Sequence, residues 1–229
     1  MRYGFPAMFY KNITAGLFFV ILCALTPAMA ADAPEQKPLT LVALGDSLTA
    51  GHMLPPGTGF AEQLQQALRD KGHEGIIVVN AGVSGDTSSG GLARLDWAVG
   101  PETDAVIVEL GANDALRGID PAITRENLSE IVSRLKTRNL PVLLAGMYAP
   151  PNLGRDYGES FNSIYPELAE KEELILYPFF LDGVAGERRL NLGDGIHPTE
   201  EGVAIIVTRI LPYVENLIDV TRKRQSSEN

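Results

Sequence analysis

The sequence predicts a single three-layer α/β/α domain built on a five-stranded parallel sheet. Three observations carry that expectation. Five short runs are apolar at nearly every position, as strands are when helices cover both faces of a sheet. Segments with helical spacing stand between those runs. The chain has 229 residues, 45% of them hydrophobic, which suits one packed domain and excludes a disordered or collagen-like chain.

The elements follow in order. Leu39 to Leu44 is the first strand run, and a Gly-rich turn follows it. Phe60 to Lys71 has Leu64, Ala67 and Leu68 on one helical face. Ile76 to Val79 is β-branched and apolar throughout, as a buried strand requires. Leu92 to Val99 reads as a helix, and Ala105 to Leu110 as a strand. Thr124 to Arg138 is amphipathic, with Leu128, Ile131, Val132 and Leu135 in register. Pro141 to Ala145 is a strand, Ser160 to Glu172 a helix and Leu174 to Tyr177 the last strand. A helix over Thr199 to Ile218 closes the domain, with Pro212 as a position for a kink.

The ends differ from this body. Arg2 and Lys11 precede an apolar run from Ile13 to Leu25, no acid occurs before Asp32, and Ala28-Met29-Ala30 follows. That is the pattern of a secretory signal over residues 1–30, cleaved after Ala30. The run is short for a membrane span, so no stable span is expected once the leader is removed. Residues 31–37 are a polar lead-in, 38–220 the folded domain and 221–229 a loose polar tail. The expected location is periplasmic or secreted. Cys23 goes with the leader, leaving a thiol-free chain suited to an oxidising compartment.

With 19 basic and 29 acidic residues, the formal charge is −10. Nucleic acid and anionic membranes would be repelled, so neither is an expected partner. One cysteine and three histidines exclude a disulfide scaffold and a Cys/His zinc site.

In a parallel sheet, ligands sit beyond the carboxyl ends of the strands, so those loops hold the candidate chemistry. The first is Gly45-Asp46-Ser47-Leu48-Thr49-Ala50-Gly51. It presents a serine on a tight strand-to-helix turn, backed by backbone N–H groups. Taken alone, it is equally an Asp/Ser helix cap. The second, Asn80 to Ser88, contains Gly85, whose N–H no side chain obstructs. The third, Gly111-Ala112-Asn113-Asp114, offers a side-chain amide that can meet an oxyanion or simply close an Asx turn. The fourth is Asp194-Gly195-Ile196-His197-Pro198. His197 can act as a general base there, and Asp194 can fix its tautomer. Nucleophile, base, orienting acid and oxyanion donors thus come from loops at one edge of one sheet. Independent caps and turns seldom supply that whole set.

These segments, GDSLTAG, NAGVSGDTSSGGLARL, VIVELGANDALRG and DGIHPTEEG, resemble the GDSL esterases, also called SGNH hydrolases. The stretch PPNLGRDYGESFNSIYPELAE with LYPFF is similar to the acyl-CoA thioesterase/arylesterase/lysophospholipase branch. The resemblance spans Leu39 to Leu217 and implies a flavodoxin-like SGNH hydrolase fold. It implies Ser47 as nucleophile, His197 as base and Asp194 as orienting acid. The implied oxyanion donors are the Ser47 and Gly85 N–H groups and the Asn113 amide. His52 departs from the pattern, where an aromatic residue is common, and it is given no catalytic role. Acyl transfer through Ser47 then needs no cofactor and no metal. The implied partners are small-molecule esters, thioesters or lysophospholipids. Two alternatives use the same observations. One is a carbohydrate O-acetyl esterase or acyltransferase; the other is a flavodoxin-like module holding a phosphate at Ser47, Thr49 and Gly51.

Overall fold

The computed structural model describes residues 1–4, 6 and 38–227. The expected leader falls almost wholly outside these residues, and the lead-in 31–37 does so entirely. Residues 1–4 and 6 carry no regular structure.

The strands are β1 (Leu39–Gly45), β2 (Ile76–Gly82), β3 (Ala105–Glu109), β4 (Val142–Ala145) and β5 (Ile175–Tyr177). They pair in parallel in the order β2-β1-β3-β4-β5. That is the doubly wound, flavodoxin-like plan, and its switch point lies between β1 and β3. The register there aligns Gly45 with Gly82 on one side and Glu109 on the other.

The helices are α1 (Ser47–Ala50), α2 (Phe60–Asp70), α3 (Ser88–Ala93), α4 (Leu95–Ala98), α5 (Ala112–Leu116), α6 (Pro121–Thr137), α7 (Arg155–Asn162), α8 (Ile164–Glu172) and α9 (Glu200–Ser227). Helix α2 packs against α9, while α3 and α8 pack against α6. The core joins the strands to these helices. Leu41, Leu44, Ile107 and Leu143 are fully buried, as are Leu64 and Leu68 of α2, Ile131 and Leu135 of α6, and Ile210 and Leu217 of α9. Each fully buried Leu or Ile contributes about 1.5–3 kcal/mol relative to exposure.

Four expectations are corrected, and two short helices are added. The Ile76–Val79 run is not a buried strand: β2 is the edge of the sheet, with Ile77 and Val79 exposed. The Leu92–Val99 helix is two short helices joined at Arg94. Arg94 donates from Nε to Asp86 and from Nη2 to the Gly45 carbonyl, tying that junction to the end of β1. The Ser160–Glu172 helix is also two, broken at Ser163. Pro166 has no N–H to offer the Asn162 carbonyl, so a continuous helix lacks that bond. Helices α1 and α5, one turn each, are too short to leave a period in the sequence. Finally, α9 passes through Pro212 and runs to Ser227, taking in most of the supposed loose tail. Thr221 is buried on its inner face, and Gln225 donates to Asp104 at the amino end of the sheet.

Candidate active site

Ser47 owes its position to what flanks it. Asp46 caps α1, its Oδ1 accepting the Leu48 N–H at 2.9 Å. Gly51 ends the helix at φ 73°, and the Gly51 and His52 N–H groups both close on the Ser47 carbonyl. The close approach at the end of β1 requires glycine: a Cβ at Gly45 would lie 2.6 Å from Glu109 Oε2.

The Ser47 Oγ lies 2.9 Å from His197 Nε2, and His197 Nδ1 lies 2.7 Å from Asp194 Oδ2. Asp194 also accepts the N–H groups of Ile196 at 3.0 Å and His197 at 3.1 Å. The carboxylate therefore folds its own loop around the imidazole. The hydrogen bond from His197, then those two backbone donors, hold its pKa down at about 2. An ionised Asp194 assigns the imidazole proton to Nδ1, which leaves the Nε2 lone pair facing the serine hydroxyl. The loop is fixed from behind by Asn191, which donates to the carbonyls of Val184 and Glu187.

Asn113 sits in α5, just past Gly111, whose φ is 113°. A Cβ at Gly111 would collide with the Tyr165 hydroxyl, which donates to the Leu110 carbonyl. The Asn113 amide nitrogen donates to Asp46 Oδ2 at 3.0 Å and to the Asp86 carbonyl at 2.9 Å. Ser47, Asn113 and His197 all line one pocket of about 450 Å³. Its other walls are mainly apolar, from Leu48, Leu116, Met147, Phe179, Leu181 and Ile196 among others. Gly85 is not part of that wall. It is exposed in the β2–α3 loop at φ 86°, and its carbonyl accepts from Arg117 Nη2. The loop still meets the site, because the residue after Gly85 supplies the carbonyl that holds Asn113.

Beneath the serine lies a buried acid pair that the sequence reading passed over. Asp46 is fully buried, and burial raises its pKa to about 6 against the opposing bonds from Leu48 and Asn113. Glu109 is buried at the end of β3 and pushed well above the ordinary carboxylate range, first by burial and then by Asp46. Glu109 Oε2 accepts from Thr49 Oγ1 at 2.7 Å and from the Asp46 N–H at 3.3 Å. Its sequence signal was one acid ending an otherwise apolar strand. His52 stands beside the base. Its ring centroid lies 4.7 Å from that of His197, and its Nδ1 lies 3.5 Å from Ser84 Oγ.

A parallel sheet carrying a serine–imidazole–carboxylate line at the wall of an apolar pocket defines a serine hydrolase of the α/β class. Comparison with known proteins narrows this. Residues 43–205 match the GDSL-like Lipase/Acylhydrolase family, and the chain belongs to that family. It is 40% identical over 180 residues to Esterase TesA of Pseudomonas aeruginosa, covering 78% of this chain and 89% of the relative. It is 37% identical over 203 residues to Thioesterase 1/protease 1/lysophospholipase L1 of Escherichia coli, covering 88% and 92%. The crystal structure of AlinE4, an SGNH-hydrolase family esterase, superposes with a TM-score of 0.67 at 44% identity, covering 79% of this chain and 97% of that one. The protein is therefore an ester-hydrolysing enzyme with the SGNH hydrolase fold.

Proposed function

We propose that the protein is an exported esterase and thioesterase, of arylesterase and lysophospholipase type, working through an acyl-enzyme on Ser47. The observation that carries this is the continuous line from Ser47 Oγ through His197 to Asp194, with steps of 2.9 and 2.7 Å. His197 Nε2 takes the hydroxyl proton as Oγ attacks the carbonyl carbon. Asp194, anionic throughout, steadies the imidazolium. The oxyanion turns to the Ser47 N–H and the Asn113 amide; the Gly85 N–H, proposed as a third donor, lies outside the pocket wall in the resting site and reaches it only if the β2–α3 loop turns inward. Both Asn113 amide hydrogens are engaged in the resting site, so the developing charge draws one into a three-centre bond. Collapse expels the alcohol or thiol, which receives the proton from His197. Water, activated by the same imidazole, then frees the acid.

The apolar walls around Ser47 support an acyl chain as the group held there; an acetyl group on a sugar would leave them unfilled. Export rests on the residue pattern of positions 1–30. The test is a series of p-nitrophenyl esters of rising acyl length. Each methylene that enters the walls should raise kcat/KM about fourfold until the pocket is full. Ser47→Ala should abolish turnover of every member. Wild-type kcat in Ser47→Ala would overturn the assignment, and acetate as the best substrate would overturn the acyl-chain reading.

A further inference from the structure

Exposed large apolar residues are distributed unevenly over the folded domain. Met53 follows β1, Val83 follows β2, Leu116 follows β3, Tyr148 follows β4, and Ile196 lies between β5 and α9. Every strand is thus followed, beyond its carboxyl end, by at least one such residue, and β3 by two, since Ile123 in the first turn of α6 is exposed as well. Their exposures are 74% for Met53, 41% for Val83, 50% for Leu116, 49% for Tyr148 and 44% for Ile196. A packed core has no need of this pattern, and each residue keeps apolar surface in water at a cost.

Two further observations say what covers them. Leu116, Tyr148 and Ile196 are also walls of the pocket that holds Ser47. Three of the five rim residues therefore share an apolar surface with the wall of the pocket that holds the candidate nucleophile. Met53 and Val83 extend it on the side of His52, whose ring meets His197 and whose Nδ1 meets Ser84, the neighbour of Val83. The second observation is charge. Arg117 follows Leu116 directly and is exposed, in a chain whose formal charge is −10. An apolar rim with a cation beside it suits a surface of apolar chains under phosphate-bearing head groups that carry no net charge. An anionic surface would meet the acidic chain with repulsion.

We infer that this rim docks on the surface of a zwitterionic phospholipid or lysophospholipid aggregate. Docking sets the pocket over the layer and lets an acyl chain pass to Ser47 without crossing water. The inference rests on the proposed esterase reading and adds the surface from which that site takes its substrate.

The test uses the full chain with phosphatidylcholine vesicles. The apolar run Ile13 to Leu25 can hold the chain on vesicles by itself, so total binding is not the readout. Local amide exchange is. The loops carrying Met53, Val83, Leu116, Tyr148 and Ile196 should exchange more slowly when vesicles are present. Three exposed apolar residues on other elements, Ile77 and Val79 on β2 and Trp97 on α4, serve as controls and should not change. Anionic vesicles should protect the loops less. A second arm uses the double variant Met53→Asn, Val83→Ser, which alters the rim and leaves the pocket wall intact. Asparagine tolerates the positive φ of Met53. This variant should lose loop protection and hydrolyse lysophosphatidylcholine about tenfold more slowly once aggregates form. Its rate on a soluble acetate ester should stay within about twofold of wild type. Unchanged exchange in the loops, protection centred on β2 or Trp97, or an unaltered rate on aggregates would each overturn the inference. Failure of the esterase reading is separable, because it appears as Ser47→Ala retaining activity on the soluble ester.

Discussion

Asp46 and Asp194 carry the same side chain, and each stands one step from the Ser47–His197 pair. Asp46 precedes the serine in the chain; Asp194 bonds the histidine. Asp46 has no exposed surface, and burial lifts its pKa to about 6. Asp194 keeps about a third of its side chain exposed, and three N–H groups pull its pKa to about 2. The difference shows that donor count and burial, not residue type, divide the work. Asp194 is built to remain an anion and serve the imidazole. Asp46 is built into the scaffold, where it caps α1 and grips Asn113.

That division can be broken at the exposed end first. Asp194→Asn keeps the shape and removes the charge that fixes the tautomer of His197. A fall in kcat of about 10³–10⁴-fold is expected in steady-state kinetics. The folded carboxyl has a pKa lowered from 3.8 to about 2. Its support for the folded state is therefore complete above pH 4 and fades only as pH falls through about 2. Acid unfolding of the wild type should show that late loss, and Asp194→Asn should lack it.

Asn113 links the two regions, because it stands in the pocket wall while its amide leans on Asp46. Asn113→Ala should lower kcat by about 10²–10³-fold with a much smaller change in KM. If it only braces the Asp46 turn, the melting temperature should fall and kcat stay near normal in the folded enzyme.

At the buried end the expected effect is smaller and falls on stability. The folded chain holds the Asp46 proton to about pH 6, whereas the ordinary value is 3.8. Between those values the folded state binds more protons than the unfolded one, so stability declines as pH rises. Glu109, whose pKa burial and then Asp46 raise, tilts the curve the same way. Asp46→Asn should flatten the decline between about pH 4 and 6 in urea titrations. An unchanged slope would remove Asp46 as its source.

The same contrast explains what was legible in the sequence. Asp194 and His197 lie three residues apart in one loop, so their partnership shows in the residue order. The central strands β1, β3 and β4 were equally plain, because burial on both faces leaves unbroken apolar runs; the run of β2 is as apolar although Ile77 and Val79 are exposed at the sheet edge. Glu109 and Thr49 stand 60 positions apart and meet only through the pairing of β1 with β3. Locally, VIVE shows only an acid ending an apolar strand; that burial and Asp46 raise its pKa depends on the sheet. The Asp46–Asn113 bond likewise depends on the sheet order. The split between α7 and α8 was readable from Pro166 but was masked by the apolar period on either side of it. The C-terminal helix was cut short because 221–229 is polar, although Thr221 faces inward.

The central claim is that Ser47 is the nucleophile that this scaffold prepares. Its most direct test is treatment with an aryl alkylphosphonate, followed by intact mass and peptide mapping. The account predicts one adduct per chain, on Ser47, formed in step with the loss of ester hydrolysis and absent from Ser47→Ala. An adduct on any other residue, or equal labelling of Ser47→Ala, would contradict it.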